Sequence, residues 1–440
     1  AETRPGGVRA PRRRLPQPPV AADPVKTVRE ALDLIIAGVH RLSDEEVPLR
    51  EALDRVLAED VDSPLDLPAH TNSAMDGYAV RAEDVRGARR EEPKRLRIVE
   101  EIQAGQSPTR ALGPGEAARI FTGAPTPEGA DTVVRQEDAE REGDAVLVLC
   151  DRDAGRNLRF AGEDLRRGAR VFDAGALLGP AQLGVLASMA MDRVRVVRRA
   201  RVGILASGDE IAGLDEREAI LAGRKTASSN TYTIDALIRR TGAEPVHLGI
   251  AKDTLASMTE HFARGFATCD LVVSTAGVSV GEHDYVHAAL DALGVERSFW
   301  KVRMRPGAPL GFGTVRGVPW IGLPGNPVST MVCFELYVQP AILKMQGHTA
   351  LFRRTVRAVT DEPIATGGGL MHFLRAVVRE EAGTHRVRLT GPQGSGVLTS
   401  MARANALLIV PEDRNDVPAG ETLTAIPLDD GWDASAEPPV

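Results

Sequence analysis

With 440 residues, 43% of them apolar, the chain is long enough for more than one core, and three or four domains are expected. Its net charge of −7, with basic and acidic residues interspersed, and its aromatic content of 4% point away from a nucleic-acid or membrane surface. There is no run of about 18 uncharged apolar residues to span a membrane and no apolar core of a secretory signal. Cys150, Cys269 and Cys333 show no C-x-x-C pairing, which excludes a disulfide framework, zinc or an iron–sulfur cluster and suits a reducing cytoplasm.

Residues 1–24 combine several prolines with Arg12-Arg13-Arg14 and read as a disordered tail. Asp23-Pro24 supplies an N-cap and first-turn proline for a helix carrying Val28, Leu32, Ile35, Val39 and Leu42. A second short helix over 53–58 leads into the strand-like Val61, and Pro180 opens another through Leu183, Leu186 and Ala190. The pieces 25–62 and 161–199 are thus expected to form one discontinuous helical domain, interrupted at 63–160. That insert alternates short β-like runs at 78–81, 96–102, 116–121, 131–136 and 146–150 with Pro/Gly turns, the pattern of a small β-rich domain.

From residue 200 to 349 the period changes to strand, loop, helix. Strand candidates at 202–206, 246–250, 271–273 and 320–323 alternate with helices that Asn230, Asp253 and Asn326-Pro327 are placed to cap. This predicts a doubly wound, mostly parallel sheet, in which ligands sit beyond the carboxyl ends of the strands. Residues 350–428 return to β runs and predict a small barrel, followed by an acidic tail at 429–440.

The chemistry concentrates at 271–285, LVVSTAGVSVGEHDY. A buried strand passes into a glycine loop whose backbone N–H groups can face an anion, and Glu282 and Asp284 follow at once. Taken alone, this is also an ordinary strand-to-helix turn with Asp284 as N-cap. Carboxylates beside a phosphate cradle make sense if Mg²⁺ sits between them, and Glu210, Asp253 and Asp284 fall at three consecutive strand ends. Lys301 and Arg305 supply cations suited to a tetrahedral oxyanion or a phosphate, or else lie on a solvated strand edge. The residues alone lead to a Mg²⁺-assisted site for an anionic, phosphate-bearing ligand and leave the ligand open.

NSAMDGY at 72–78, FTGAP at 121–125, SGDE at 207–210, GVSVGEHDY at 277–285 and LPGNPVS at 323–329 together resemble the molybdopterin molybdenumtransferases, the MoeA proteins, which are similar to the E domain of gephyrin. The resemblance runs from about residue 25 to 428. It implies a cytoplasmic homodimer of four-domain subunits that inserts molybdenum from molybdate into adenylated molybdopterin with Mg²⁺-dependent release of AMP, and contact with molybdopterin adenylyltransferase. The dimerisation domain would be the discontinuous helical one and the insert a lid. Glu210, Asp253 and Asp284 would be the acidic positions tied to Mg²⁺ and catalysis, and Ser207, Gly277, Ser279 and Gly281 would line the pterin-phosphate pocket. Lys301, Arg305 and Ser329 would hold molybdate, Pro324 and Pro327 would shape the floor, and catalytic Asp76 and Thr122 would enter from the other subunit.

The chain departs from the family pattern at His70-Thr71, at Ala276 in place of a glycine, at Ala308 in place of a lysine, and at Ser228-Ser229 in a loop that often reads Asp-Thr. The lost lysine predicts weaker molybdate capture. Two other readings use the same motifs: a non-catalytic scaffold of the gephyrin E-domain type, and molybdopterin adenylyltransferase, whose fold resembles 200–347 but normally lacks flanking domains.

Overall fold

Two uninterrupted apolar runs, β1 (Arg201–Ser207) and β3 (Leu271–Thr275), are buried along nearly their whole length and form the middle of a six-stranded sheet. The computed structural model describes residues 25–275 and 285–428. β1 is flanked by β2 (Glu244–Ala251), and β3 by β6 (Val318–Leu323), all parallel. β5 (Pro309–Val315) and β4 (Glu296–Lys301) complete the order β2-β1-β3-β6-β5-β4 as antiparallel strands. Strands buried on both faces need helices on both. On one side Met258 and Phe262 of α3 (Leu255–Thr268) and Val286, Ala289 and Leu290 of α4 (Tyr285–Ala292) pack on Leu205, Val272, Trp300 and Trp320. α2 (Ser229–Arg240) buries Ile234, Leu237 and Ile238, and packs on β1 and on α5 (Pro327–Cys333). Through the π-turn Phe334–Val338, α5 continues into α6 (Gln339–Met345).

The barrel expected after residue 350 is present. β7 (Val356–Thr360), β8 (Met371–Glu381), β9 (Thr384–Leu389), β10 (Ala406–Val410) and β11 (Thr422–Pro427) close in the order β8-β9-β7-β11-β10, with β10 pairing back to β8. Ala358, Leu374, Ala376, Val378, Leu408 and Ala425 fill the interior. The two-residue strand Met304–Arg305 pairs with Met371 and His372 of β8, tying the barrel to the loop after β4.

These parts form one compact unit together with the segment up to His40; Arg41–Arg198 with Gln346–Thr349 form a second. In the second unit, Thr132–Arg135, Gly77–Val80, Glu116–Ile120, Lys94–Ile102, Ala145–Val148 and Ala139–Glu142 make a mixed six-stranded sheet in that order. Asp44–Pro48 pairs with Arg193–Val197 beside the helix Pro180–Ser188, over a core of Val47, Leu57, Leu186 and Val196.

Several local expectations are corrected. The first helix, Val28–Ala37, is capped by Thr27 in a reciprocal box with Glu30, because the threonine oxygen and the glutamate three residues on satisfy both orphan donors. This helix belongs to the unit of the α/β sheet: Lys26 N–H donates to Lys301 O at 3.0 Å and Lys344 Nζ to Ile36 O at 2.6 Å. No helix forms over 53–58; Val56 and Leu57 bridge Leu177 and Val196, and the buried Arg55 reaches Glu45 and Val197 O. The tertiary pairing of that segment overrides its helical periodicity.

Phe262 is fully buried and meets Phe266 and Trp320 at ring-centroid distances of 5.9 and 6.4 Å. Phe262→Ala is expected to destabilise the α/β domain by about 3–5 kcal/mol, read as a lower denaturation midpoint on the near-ultraviolet signal of Trp300 and Trp320.

Candidate functional site

β1 ends at Ser207, whose hydroxyl donates to Thr275 O at 3.4 Å across the tips of β1 and β3. Gly208 turns the chain at φ +131, and a Cβ there would stand 2.8 Å from the carboxylate oxygens of Glu210. Glycine is therefore required for Glu210 to fold back over the turn. At the tips of β1 and β2 the next residues clasp each other: Asp209 N–H donates to Asp253 Oδ2 at 3.1 Å, and Asp253 N–H to Asp209 Oδ1 at 3.3 Å. Lys225 Nζ bonds Asp209 O. Asp253 does not cap α3; Thr254 does, accepting from Ser257 N–H at 3.3 Å.

Beyond these tips lies a cleft of about 670 Å³ whose walls include Ser207, Glu210, Ser228, Asn230, Pro324 and Pro327. The Pro324-Gly325-Asn326-Pro327 turn forms one side and is held by Thr330, whose hydroxyl donates to Pro324 O at 2.6 Å. Asn230 reaches the same turn: its Nδ2 donates to Gly325 O at 2.8 Å, and Ser228 occupies the cap position of α2 instead. Asp253 is not among the residues lining the cleft.

A second cavity, of about 320 Å³, is bounded by Arg305 and Pro306 on one side and by His372, Arg375, Gln393 and Gly394 of the barrel on the other. Pro309 and Gly396 line the first cleft, so the two cavities flank the same two segments of chain, 305–309 and 394–396. Arg375 is fully buried. Its Nε donates to Ser400 Oγ and its Nη2 to Gly394 O, each at 3.0 Å, while Nη1 has no partner and no carboxylate pairs with it among the described residues. Burial alone pulls its proton affinity below the usual guanidinium value. Leu374, Ala376 and Val378 point into the barrel, so strand alternation reads Arg375 as solvent-facing; the loop through Pro392 and Gly394 covers it instead.

Of the residues predicted to hold the oxyanion, Arg305 lines this second cavity. Lys301 is exposed at the end of β4, and Ser329 is buried in α5; neither lines either cavity. Gly277, Ser279, Gly281 and Asp284 lie outside the described residues. Glu210 and Asp253 offer hard oxygen donors of the kind Mg²⁺ takes, but no group of three His, Cys, Asp or Glu able to hold a metal occurs among the described residues.

In the second unit, Asp76 and Thr122 meet directly. Thr122 N–H and Oγ1 both donate to Asp76 Oδ1 at 2.7 Å, beside a cavity of about 410 Å³ that Arg135 and Arg152 also line. The backbone N–H of Thr122, then its hydroxyl, hold the Asp76 carboxyl below the usual range. Arg119 lies over the rings of Tyr78 and Phe121 and donates to Gly77 O at 2.9 Å. A Cβ at Gly77 would stand 1.9 Å from Val134 O, so this strand start admits only glycine.

Family models match almost the whole chain: MoeA N-terminal region (domain I and II) at 26–190, a probable molybdopterin binding domain at 203–344, and MoeA C-terminal region (domain IV) at 357–428. A molybdopterin molybdenumtransferase of Nostoc sp. is 36% identical over 94% of this chain and 96% of its own. The chain belongs to the molybdopterin molybdenumtransferase family. Molybdopterin molybdenumtransferase 2 of Mycobacterium tuberculosis is 37% identical over 86% of this chain and 93% of its own. The crystal structure of the molybdopterin biosynthesis moeA protein of Pyrococcus horikoshii superposes with a TM-score of 0.77 at 31% identity, covering 92% of this chain and all of that one. As a molybdopterin molybdenumtransferase family member the chain is a transferase with a role in molybdenum cofactor biosynthesis. None of the described helices is long and apolar enough to cross a membrane.

The depressed Asp76 carboxyl makes a signed prediction. Its hydrogen bonds stabilise the fold above the unfolded value of about 3.9 and are lost as pH falls through the lower folded value. Thr122→Val removes the hydroxyl donor, so the thermal midpoint should drop at neutral pH. The gap to wild type should close in acid, below the ordinary carboxylate range.

Proposed function

We propose that this chain transfers molybdenum from molybdate to adenylated molybdopterin and releases AMP, in the cytoplasm and as a homodimer. The observation that supports this reading best is the buried guanidinium of Arg375, which has no counter-ion among the described residues and lines a cavity with Arg305 beside the larger cleft. An uncompensated buried cation calls for an anion. A cavity of about 320 Å³ accommodates a tetrahedral oxyanion, and the paired donors of a guanidinium suit its edges. The adjoining cleft, with Ser207 at the strand tip and the Pro324–Pro327 turn opposite, takes the pterin and its phosphates. The oxyanion then waits across segments 305–309 and 394–396 from the dithiolene that receives the metal.

Glu210 in the cleft, with Asp284, would hold Mg²⁺, and Asp253, which does not line the cleft, would support that site through its clasp with Asp209. When bound, the ion offsets the charge of the phosphoanhydride that water cleaves to free AMP. Glu210, folded over Gly208 into the cleft, orients that end of the ligand. In the dimer, Asp76 of the other subunit, kept ionised by Thr122, accepts hydrogen bonds from the bound substrate. The departure at Ala308 leaves Arg305 and Arg375 as the cations of the oxyanion site. Molybdopterin adenylyltransferase, as the source of the adenylated ligand, is the expected contact partner.

The test combines purified protein, Mg²⁺, molybdate and adenylated molybdopterin and measures AMP and active cofactor. Wild type should yield both; if neither forms, the catalytic reading fails in favour of a scaffold. Arg375→Met should raise the KM for molybdate roughly 10- to 100-fold, the loss of a charged hydrogen bond, while the thermal midpoint stays within a few degrees of wild type because an unpaired charge leaves the interior.

A further inference from the structure

Asn230 carries an interaction that is left half made. Its Nδ2 donates to Gly325 O at 2.8 Å, and a flipped amide would set oxygen against that carbonyl. The orientation of the amide is therefore fixed, and Oδ1 can only accept. That atom is buried and has no hydrogen-bond partner among the described residues. Native proteins leave few buried acceptors unpaired, and such a group commonly marks a place where a bound molecule supplies the donor.

The surroundings narrow what that donor is. Asn230 lines the larger cleft, to which Ile211, Ala227 and Pro309 contribute apolar surface. The nearby hydroxyls of Ser228 and Thr231 bond each other at 2.6 Å, so they compete little for a ligand group. A fixed acceptor in a cleft with apolar surface in its lining suits a flat nitrogen heterocycle that presents an N–H in its plane. A heterocycle with a carbonyl at that edge would face lone pair with lone pair, and one with only C–H would leave the acceptor unsatisfied.

We propose that Asn230 is a specificity-determining residue whose Oδ1 accepts a hydrogen bond from an amino or ring N–H of the ligand's heterocycle. The inference depends on reading the larger cleft as the seat of adenylated molybdopterin. Two parts of that ligand carry the chemistry, the 2-aminopterin edge and the 6-amino group of adenine, and the experiment separates them.

Binding of AMP, of purine riboside 5′-monophosphate, which lacks the 6-amino group, and of molybdopterin is measured for wild type and for Asn230→Leu. Leucine has the same branched shape and no acceptor; Asn230→Ala replaces it should the leucine variant fail to fold. If the acceptor reads adenine, wild type prefers AMP to the deamino analogue by roughly three- to tenfold, the worth of one neutral hydrogen bond, and the variant shows no preference. If it reads the pterin, the two purine nucleotides bind alike in both proteins while molybdopterin binds roughly three- to tenfold more weakly to the variant. Either pattern supports the proposal; a merely structural asparagine, which only holds Gly325 O, would weaken binding of all three probes alike in the variant, and that outcome overturns it. A variant that matches wild type on all three probes overturns it and leaves the proposed reaction standing. Wild type that binds none of the three overturns both.

Discussion

A full positive charge sits inside this protein with no negative partner among the described residues, and the proposed oxyanion site depends on how that charge is held. Arg375 is closed off from solvent, fixed by Ser400 and Gly394, and still has one face of its guanidinium unused. Desolvating an ion costs several kcal/mol, and structures retain such a cost where binding repays it. The strand that carries Arg375 also pairs, at Met371 and His372, with the segment that carries Arg305. One backbone ladder thus joins the two segments that carry these arginines.

The larger cleft is built by a different rule. Parallel strands bring Ser207, Gly208 and Thr275 to one end of the sheet, and the turns that leave the strands must open outward there. The Pro324–Pro327 turn begins α5, and its carbonyls are held from below by Thr330 and from the side by Asn230. The cleft and the cationic cavity are lined by nearby residues of the same two segments, 305–309 and 394–396. The second unit brings its own preassembled pair, Asp76 and Thr122, locked by two hydrogen bonds of 2.7 Å and a strand start that tolerates no side chain at Gly77.

Much of this was legible in the sequence. Uninterrupted apolar runs gave the buried strands 201–207 and 271–275, and the switch back to alternating runs after residue 350 gave the barrel. Caps were read less well. Asp253 and Asn230 have the right chemistry for the first turn of a helix, yet each is drawn to a tertiary partner while a neighbour takes the cap position. Local preference names the candidates, and long-range geometry picks among adjacent ones. Arg375 was not legible at all, because alternation along 371–381 assigns it to the outer face and only the fold of the following loop buries it. The motifs point to Lys301 and Ser329, and neither lines either cavity, the first being exposed and the second buried in α5.

The central claim is that the cavity between Arg305 and Arg375 exists for a tetrahedral metal oxyanion. Crystals soaked in molybdate, with diffraction collected on both sides of the molybdenum edge, test it most directly. The account predicts an anomalous peak within hydrogen-bonding distance of Arg375 Nη1 and beside Arg305. Molybdate bound only elsewhere on the protein, with that cavity lacking an anomalous peak at saturating concentration, would contradict it.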